Sequence, residues 1–381
     1  MIRLINPYTP RAGLMLTYLA GREKLIKEAK ESILSLKSGY PQRPTAYYGL
    51  RGVGKTVLLN TIEEFALENN IIYEHIEIIE KRDFLLQLTN ICRKFISKLN
   101  KIEQTKLLID KALSALENFK LTYTIGDSSI SAEVNKKNFE LLSDDLTELF
   151  VIMGNAAKKS GDCIIFFIDE IQYTKEEELS SIINALHRTG QLRLPITFFV
   201  AGLNKILKQF SEIKTYSERM FDFKEITSLN YEETKKAITE PVKDLSVEYD
   251  EEAVKKIYDL TGGYPYFIQF FCDNLWRNID KVNNITINDV NSTIDSYFKR
   301  LDEGFFKSRF DRCTDKEKAM VKCGELPCTI NNVAKILKKS VGSISPIRAQ
   351  LINKGIVYSV KYGEIDFTVP QFDLFLKRVT K

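Results

Sequence analysis

Gly49-Leu50-Arg51-Gly52-Val53-Gly54-Lys55-Thr56 is the stretch on which the reading of this chain turns. Glycines at its first and sixth positions, followed by Lys-Thr, match the P-loop pattern in full. The chemistry requires these letters. Backbone N–H groups close around phosphate oxygens only where side chains stay out of the way, and the N-terminus of the following helix adds partial positive charge. Lys55 then reaches the β- and γ-phosphates as a point charge, and the Thr56 hydroxyl ligates Mg²⁺. A glycine-rich turn with an exposed lysine would carry the same letters, so the flanks matter. Thr45–Tyr48 reads as a short aromatic strand and Val57–Glu68 returns to helical period, which places the loop between a strand and a helix. The expected nucleotide contacts are Gly49, Arg51, Gly52, Val53, Gly54, Lys55, Thr56 and Val57.

A loop of this kind needs a second carboxylate beside the metal, at the end of a neighbouring buried strand. Cys163-Ile164-Ile165-Phe166-Phe167-Ile168-Asp169-Glu170 supplies one. Asp169 would hold Mg²⁺ through its water shell, and Glu170 would orient and deprotonate the attacking water. Acidic residues also end strands as plain surface features. The loop gives this pair its meaning, because ligands of open α/β sheets bind at those strand ends.

Outward from these motifs the chain alternates strand and helix. A helix from Arg22 to about Leu36 is broken by Ser38-Gly39 and the prolines Pro41 and Pro44. Beyond the P-loop helix come a strand at Ile71–Ile79, helices near Phe84–Leu99 and Lys106–Phe119, and a hairpin-like stretch from Thr122 to Val134 turning at Gly126-Asp127. Helix resumes at Phe139–Lys159, followed by the strand Cys163–Ile168, the helix Glu176–Arg188, the strand Ile196–Ala201 and a helix near Leu203–Ile213. Such alternation predicts a mostly parallel sheet with helices on both faces. After Phe223 the strand signals stop. Glu232–Glu240, Glu251–Asp259, Tyr266–Arg277 and Thr286–Leu301 read as helices, and the tail adds three short helices and a hairpin turning at Tyr362-Gly363.

Composition narrows the class. The 381 residues are 44% hydrophobic and 28% charged, enough for two or three globular domains. No run approaches the 18 apolar residues of a membrane helix, and Asn6, Pro7, Pro10 and Arg11 interrupt what would be a signal peptide. The expectation is a cytoplasmic protein without membrane contact. Six scattered cysteines fit reduced thiols. The one cluster, Cys313, Cys323 and Cys328, falls a ligand short of a zinc site, and His75 and His187 are the only histidines. That shortage also argues against Ser-His-Asp and His-zinc chemistry. Net charge is +4, yet Arg312–Lys381 alone carries 13 Lys and Arg against 6 Asp and Glu. The tail is a basic module on a nearly neutral body.

With both motifs in place the sequence resembles the AAA+ ATPases, in particular the bacterial and archaeal branch related to origin-recognition proteins and to STAND-type signalling ATPases. Gly49–Thr56 and Ile164–Glu170 look like its Walker A and Walker B motifs, and Ala20-Gly21-Arg22-Glu23 is similar to its segment against the adenine ring. Thr261-Gly262-Gly263-Tyr264-Pro265-Tyr266 resembles the GGYP element of its helical lid. The region from Phe305–Asp311 to Val369–Phe372 resembles its C-terminal winged helix. The resemblance implies an α/β P-loop NTPase domain at 1–225, a helical lid at 226–300 and a winged helix-turn-helix at 301–381, with ATP and Mg²⁺ as cofactors. It brings Gly21, Arg22 and Pro265 into the nucleotide site. It implies that Asn204 contacts the γ-phosphate and attacking water, where Asn is equally a good helix N-cap. It implies that Arg219 reaches a neighbouring subunit's nucleotide in a homo-oligomer, where a solvated arginine or one paired with Glu218 is the plainer reading. The sequence departs from the family after the Gly-Gly-x-Pro turn: Tyr266 stands where many members place a nucleotide-sensing arginine.

The tail itself reads as a winged helix-turn-helix, with Asn332–Lys339 and Ser343–Asn353 as its two helices. Its charge suits duplex DNA, since affinity comes mainly from neutralising phosphates. Ser343, Ser345, Arg348 and Gln350 are the available base readers, a sparse set, and winged helices also dock proteins. Two functions follow. One is an ATPase that hydrolyses ATP, whose nucleotide state rearranges domains or subunits on DNA. The other is a STAND-like switch with little turnover that controls an effector protein.

Overall fold

The computed structural model describes residues 5–11, 13, 16–80, 84–99, 105–127, 132–213, 217–279, 283–323, 326–361 and 363–379. Contacts divide the chain into two compact units. One comprises Arg22–Gly49 and Lys55–Ile226, the other Met1–Gly21, Leu50–Gly54 and Thr227–Lys381.

The first unit runs α1 (Glu23–Lys37), β1 (Thr45–Tyr48), α2 (Lys55–Glu68), β2 (Ile72–Glu77), α3 (Phe84–Leu99), α4 (Lys106–Asp127), α5 (Ala132–Ser160), β3 (Ile164–Asp169), α6 (Glu176–Gln191), β4 (Ile196–Gly202), α7 (Lys205–Ile213), α8 (Ser217–Met220) and β5 (Asp222–Glu225). Its five strands form one parallel sheet in the order β2-β3-β4-β1-β5. β3 and β4 are buried along their whole length, which is why both read as unbroken hydrophobic runs. Their register pairs Phe166 with Phe198 and Phe167 with Phe199, and alternation sends the two pairs to opposite faces. Phe166 and Phe198, centroids 4.4 Å apart, pack with Phe95 of α3 and Phe150 of α5. Phe167 stacks on Phe199 at 5.6 Å on the other face.

The hairpin expected over 122–134 is not formed. Residues up to Asp127 continue α4, and α5 begins at Ala132. Ile109, Ala112, Ala115, Leu116 and Phe119 are buried at helical spacing and set the period. Thr122, Thr124 and Ile125 cost a running helix only a few tenths of a kcal/mol each, too little to end it. The residues between the two helices lie outside the described set.

The second unit holds α9 (Tyr231–Thr239), β6 (Glu248–Tyr249), α10 (Glu251–Thr261), α11 (Pro265–Asn278), β7 (Asn284–Ile285), α12 (Ile287–Leu301), α13 (Lys307–Phe310), α14 (Asp315–Val321), β8 (Cys328–Thr329), α15 (Ile330–Leu337), α16 (Val341–Asn353), β9 (Val357–Lys361), β10 (Glu364–Phe367) and α17 (Phe372–Val379). The stretch after Phe223 is thus not purely helical, because β6 and β7 pair in parallel. Two-residue strands leave no readable alternation. The N-terminal segment docks here as well: Tyr8 is buried, donates to Ile238 O at 2.7 Å and lies 2.8 Å from the Tyr249 hydroxyl. At the C-terminal end β8, β10 and β9 form an antiparallel sheet beside α14, α15 and α16. Among the described residues no helix is long and apolar enough to cross a membrane.

Candidate functional site

The order of strands in the sheet decides which groups meet at the Lys-Thr loop. β4 lies between β1 and β3, so the chain leaving β1, β4 and β3 presents Gly49, Asn204 and Asp169 along one edge. Gly49 N–H donates to Gly202 O at 3.3 Å, tying the loop's first residue to the end of β4. Lys55 opens α2 and is buried, its Nζ donating to Gly49 O at 3.1 Å. Val53 and Val57 are buried as well. Gly52 has φ +82°, a conformation that a side chain resists.

The Thr56 hydroxyl donates to Asp169 Oδ2 at 2.5 Å. Asp169 is only 3% exposed, and its Oδ1 accepts the Glu170 N–H at 2.7 Å. Glu170 leaves the strand in the left-handed conformation, φ 55°, which turns its side chain out of the β3 alternation. The carboxylate then meets Gln172, whose Nε2 donates to Glu170 Oε2. Gln172 is 2% exposed; its Oε1 accepts the Leu203 N–H at 3.0 Å, and its carbonyl accepts Gln209 Nε2 at 3.3 Å. One buried amide therefore ties the end of β3 to the segment after β4. Sequence reasoning misses Gln172. Its only signal is a polar residue two places beyond an apolar strand.

Asn204 follows directly. Its Oδ1 is buried and accepts no hydrogen bond, so the side chain does not cap α7 and the plainer of the two readings is not realised. Arg219 lies exposed on α8, and among the described residues it pairs with no acidic group, Glu218 included. Arg22 is buried at the start of α1.

The remaining expected residues belong to the second unit. Gly21, at φ +69°, packs on Leu229 and Glu233. Pro265 is the first residue of α11, shortly after Gly263, where a Cβ would lie 2.0 Å from Leu229 O. Only glycine can stand there. On α16, Ser343 and Ser345 turn their hydroxyls back to Ser340 O at 2.8 Å and Val341 O at 3.0 Å. Arg348 is half-buried and Gln350 exposed. A cleft of about 650 Å³ runs along this helix, lined by Thr329, Ile330, Val341, Ser345, Arg348 and Gly363 among others.

A five-stranded parallel sheet with a Gly-rich Lys-Thr loop after β1 and an Asp-Glu pair after β3 defines a P-loop NTPase. More narrowly, the chain belongs to the KAP family: the KAP family P-loop domain matches residues 43–243, more than half its length. Residues 303–376 match a domain of unknown function, DUF8462. A comparison with curated proteins finds no match. Among solved structures, the Walker-type ATPase PABY2304 of Pyrococcus abyssi is similar in fold at 14% identity, over 99% of this chain and 100% of that one, with a TM-score of 0.55. Aeropyrum pernix Orc1 in complex with DNA aligns at 11% identity over 95% of this chain and 92% of that one, TM-score 0.48. The Thermotoga maritima RuvB Holliday junction branch migration motor aligns at 16% identity over 91% and 92%, TM-score 0.44.

Proposed function

We propose that the protein binds ATP with Mg²⁺ and hydrolyses it to ADP and phosphate. The observation that carries this reading is the 2.5 Å contact between Thr56 Oγ1 and Asp169 Oδ2. A hydroxyl after the P-loop lysine and a carboxylate from a different strand converge on one point, as donors to a single hard cation would. The residues present fit that ion: Thr56 and Asp169 would hold it, and when bound it supplies charge neutralisation across the β- and γ-phosphates. The amides of Gly49–Gly54 and the Lys55 ammonium hold the triphosphate. Glu170 accepts a proton from the water that attacks the γ-phosphorus as the β–γ bridging bond breaks, and Asn204, with its unpartnered Oδ1, orients that water. Gln172 fixes the Glu170 carboxylate from behind. Calorimetry tests the reading. Wild-type protein should take up one ATP, and Lys55→Ala should weaken uptake at least 100-fold; equal uptake by both proteins would overturn it.

The finer part concerns the second unit. We take 226–300 as a helical lid and 301–381 as a winged helix, on the strength of the GGYP turn and the order helix, strand, helix, helix, hairpin. Nucleotide state would rearrange domains or subunits. With 13 Lys and Arg against 6 acids the tail suits phosphate contact with duplex DNA, while α16, whose two exposed serines spend their hydroxyl hydrogens on the helix's own backbone carbonyls, suits base reading poorly. Light scattering after size exclusion, with and without ATP and duplex DNA, is the check. Co-elution with DNA should fall steeply between about 50 and 200 mM salt. Salt-independent binding, or none, would remove DNA from the proposal, and an ATP-dependent oligomer lost in Arg219→Ala would establish that residue's role.

A further inference from the structure

Beneath α1, on one face of the first unit's sheet, lies a cavity of about 560 Å³. β1 and β5 pair in parallel with Thr45 opposite Asp222 and Tyr47 opposite Lys224, and strand alternation turns all four side chains to the same face. α1 covers that face with Glu28, Ala29, Ser32 and Ser35, which helical spacing brings onto one side. Pro41 and Arg43, on the segment that enters β1, complete the wall. The cavity thus sits toward the first residues of β1 and β5, whereas the phosphate loop follows the last residue of β1.

Four hydroxyls line it, from Ser32, Ser35, Thr45 and Tyr47, and among the described residues none of them makes a hydrogen bond. Tyr47 is 1% exposed and Thr45 is buried; the two serines are half-buried. Elsewhere in the chain helical hydroxyls return their hydrogen to the preceding turn, as Thr61, Thr89, Thr147, Ser181 and Thr239 do to the carbonyl four residues back. Ser32 and Ser35 keep theirs. A phenol as deeply placed as Tyr47 normally finds a partner, because an unplaced buried donor costs the fold its desolvation. Burial, then the carboxylates of Glu28 and Asp222, push its pKa up, so the group stays protonated and remains a donor.

The charges around these hydroxyls narrow the occupant. Lys224 Nζ lies 3.0 Å from Asp222 Oδ2 and 3.1 Å from Glu28 Oε2, and Arg43 donates to Phe221 O at 2.6 Å and to Met220 O at 3.5 Å. Both cations are engaged. Asp222 Oδ1 stays open, as does Glu31 on the rim, whose nearest cation among the described residues is Lys27 at 3.9 Å. A phosphate or other anion would meet three carboxylates and no uncommitted cation. An ammonium would satisfy the carboxylates but offers no acceptor to four O–H donors. An apolar ligand would leave every polar group unpaired.

We propose that this cavity binds a small polyhydroxylated molecule, a mono- or disaccharide, whose oxygens accept from the four hydroxyls and whose O–H groups donate to Asp222 and Glu31. A sugar hydroxyl donates and accepts at once, which is what a wall of hydroxyls interleaved with carboxylates requires. The volume lies within the usual range for small-molecule sites, about 300 to 1,000 Å³. The proposal stands apart from the nucleotide reading, which neither supports it nor falls with it.

The test uses the full chain, with glucose, sorbitol, maltose and trehalose as probes and spermidine as the competing cation. Binding is read by saturation-transfer NMR and titration calorimetry, because sugars raise melting temperatures by exclusion from the surface whether or not they bind. At least one of the four should bind saturably to the wild type. Tyr47→Phe should weaken it about 3- to 10-fold, the worth of one neutral hydrogen bond, and the double variant Ser32→Ala, Ser35→Ala about 10-fold or more. Without sugar both variants should melt at or above the wild-type temperature, since the hydroxyls they lose have no partner to forfeit. The serine pair keeps the test decisive if Tyr47→Phe destabilises the sheet. Failure of all four probes to bind the wild type overturns the proposal. Binding that survives in both variants overturns it too, by placing the sugar elsewhere. Saturable uptake of spermidine without any sugar, lost in Glu28→Gln, would make the cavity a cation site and overturn it equally.

Discussion

Glu170→Gln should leave ATP bound within about threefold of the wild-type affinity and slow turnover by about 10²- to 10⁴-fold, the usual contribution of a positioned general base. The substitution is nearly isosteric, and Glu170 is not among the groups that hold phosphate, so binding and chemistry separate cleanly. The left-handed turn at Glu170 persists with glutamine, because it is set by the exit from β3 and by the Asp169 Oδ1 bond to the Glu170 N–H. What changes is the proton acceptor and the bond to Gln172 Nε2. Gln172→Ala is the companion variant. It keeps the base and removes its anchor, and should lower kcat by about tenfold with KM unchanged. In the double variant the second loss should vanish, since an anchor matters only for a functioning carboxylate. Single-turnover assays with labelled ATP read both numbers. Wild-type turnover in Glu170→Gln would remove Glu170 from the chemistry, and a fully additive double variant would make Gln172 an ordinary core amide.

The parts legible in the sequence share one property: their side chains or backbone conformations are dictated locally. Gly49–Thr56 announces itself because the loop needs glycine where phosphate approaches, and Ile164–Ile168 because a strand buried on both faces admits only apolar residues. Asp169 stands out as the first charge after that run. The core stripe of α4 is readable for the same reason, whereas its last turns carry β-branched residues that mimic a strand, and the buried face that overrides them is a tertiary fact. Gln172 is invisible because its meaning lies in a bond to Leu203, 31 positions away. The N-terminal segment gives no hint of docking on the second unit, because Tyr8 bonds to Ile238 and Tyr249, more than 200 positions on.

Asp169→Asn should abolish the effect of Mg²⁺ on nucleotide handling. With the ion present, wild-type protein should bind ATP more tightly than in EDTA, and the variant should bind equally under both conditions, with turnover down at least 10²-fold, because charge stabilisation by a bound ion is worth several kcal/mol. The geometry sets this expectation. One carboxylate oxygen is committed to the Glu170 N–H, so the other, already 2.5 Å from the Thr56 hydroxyl, is the one available to the cation. Asparagine reproduces the size and one acceptor oxygen but brings no charge, and its amide hydrogens oppose a cation wherever they point. The nucleotide-free variant should melt no lower than the wild type, since it relieves a nearly buried carboxylate whose neighbour in sequence is also acidic; a site built for an ion is strained without it. Thr56→Ala should reproduce the loss of Mg²⁺ sensitivity more weakly, a neutral ligand being easier for water to replace. If Asp169→Asn keeps its Mg²⁺-dependent affinity while Thr56→Ala loses it, the carboxylate serves only to hold the loop, and the ion must be sought on the Thr56 side alone.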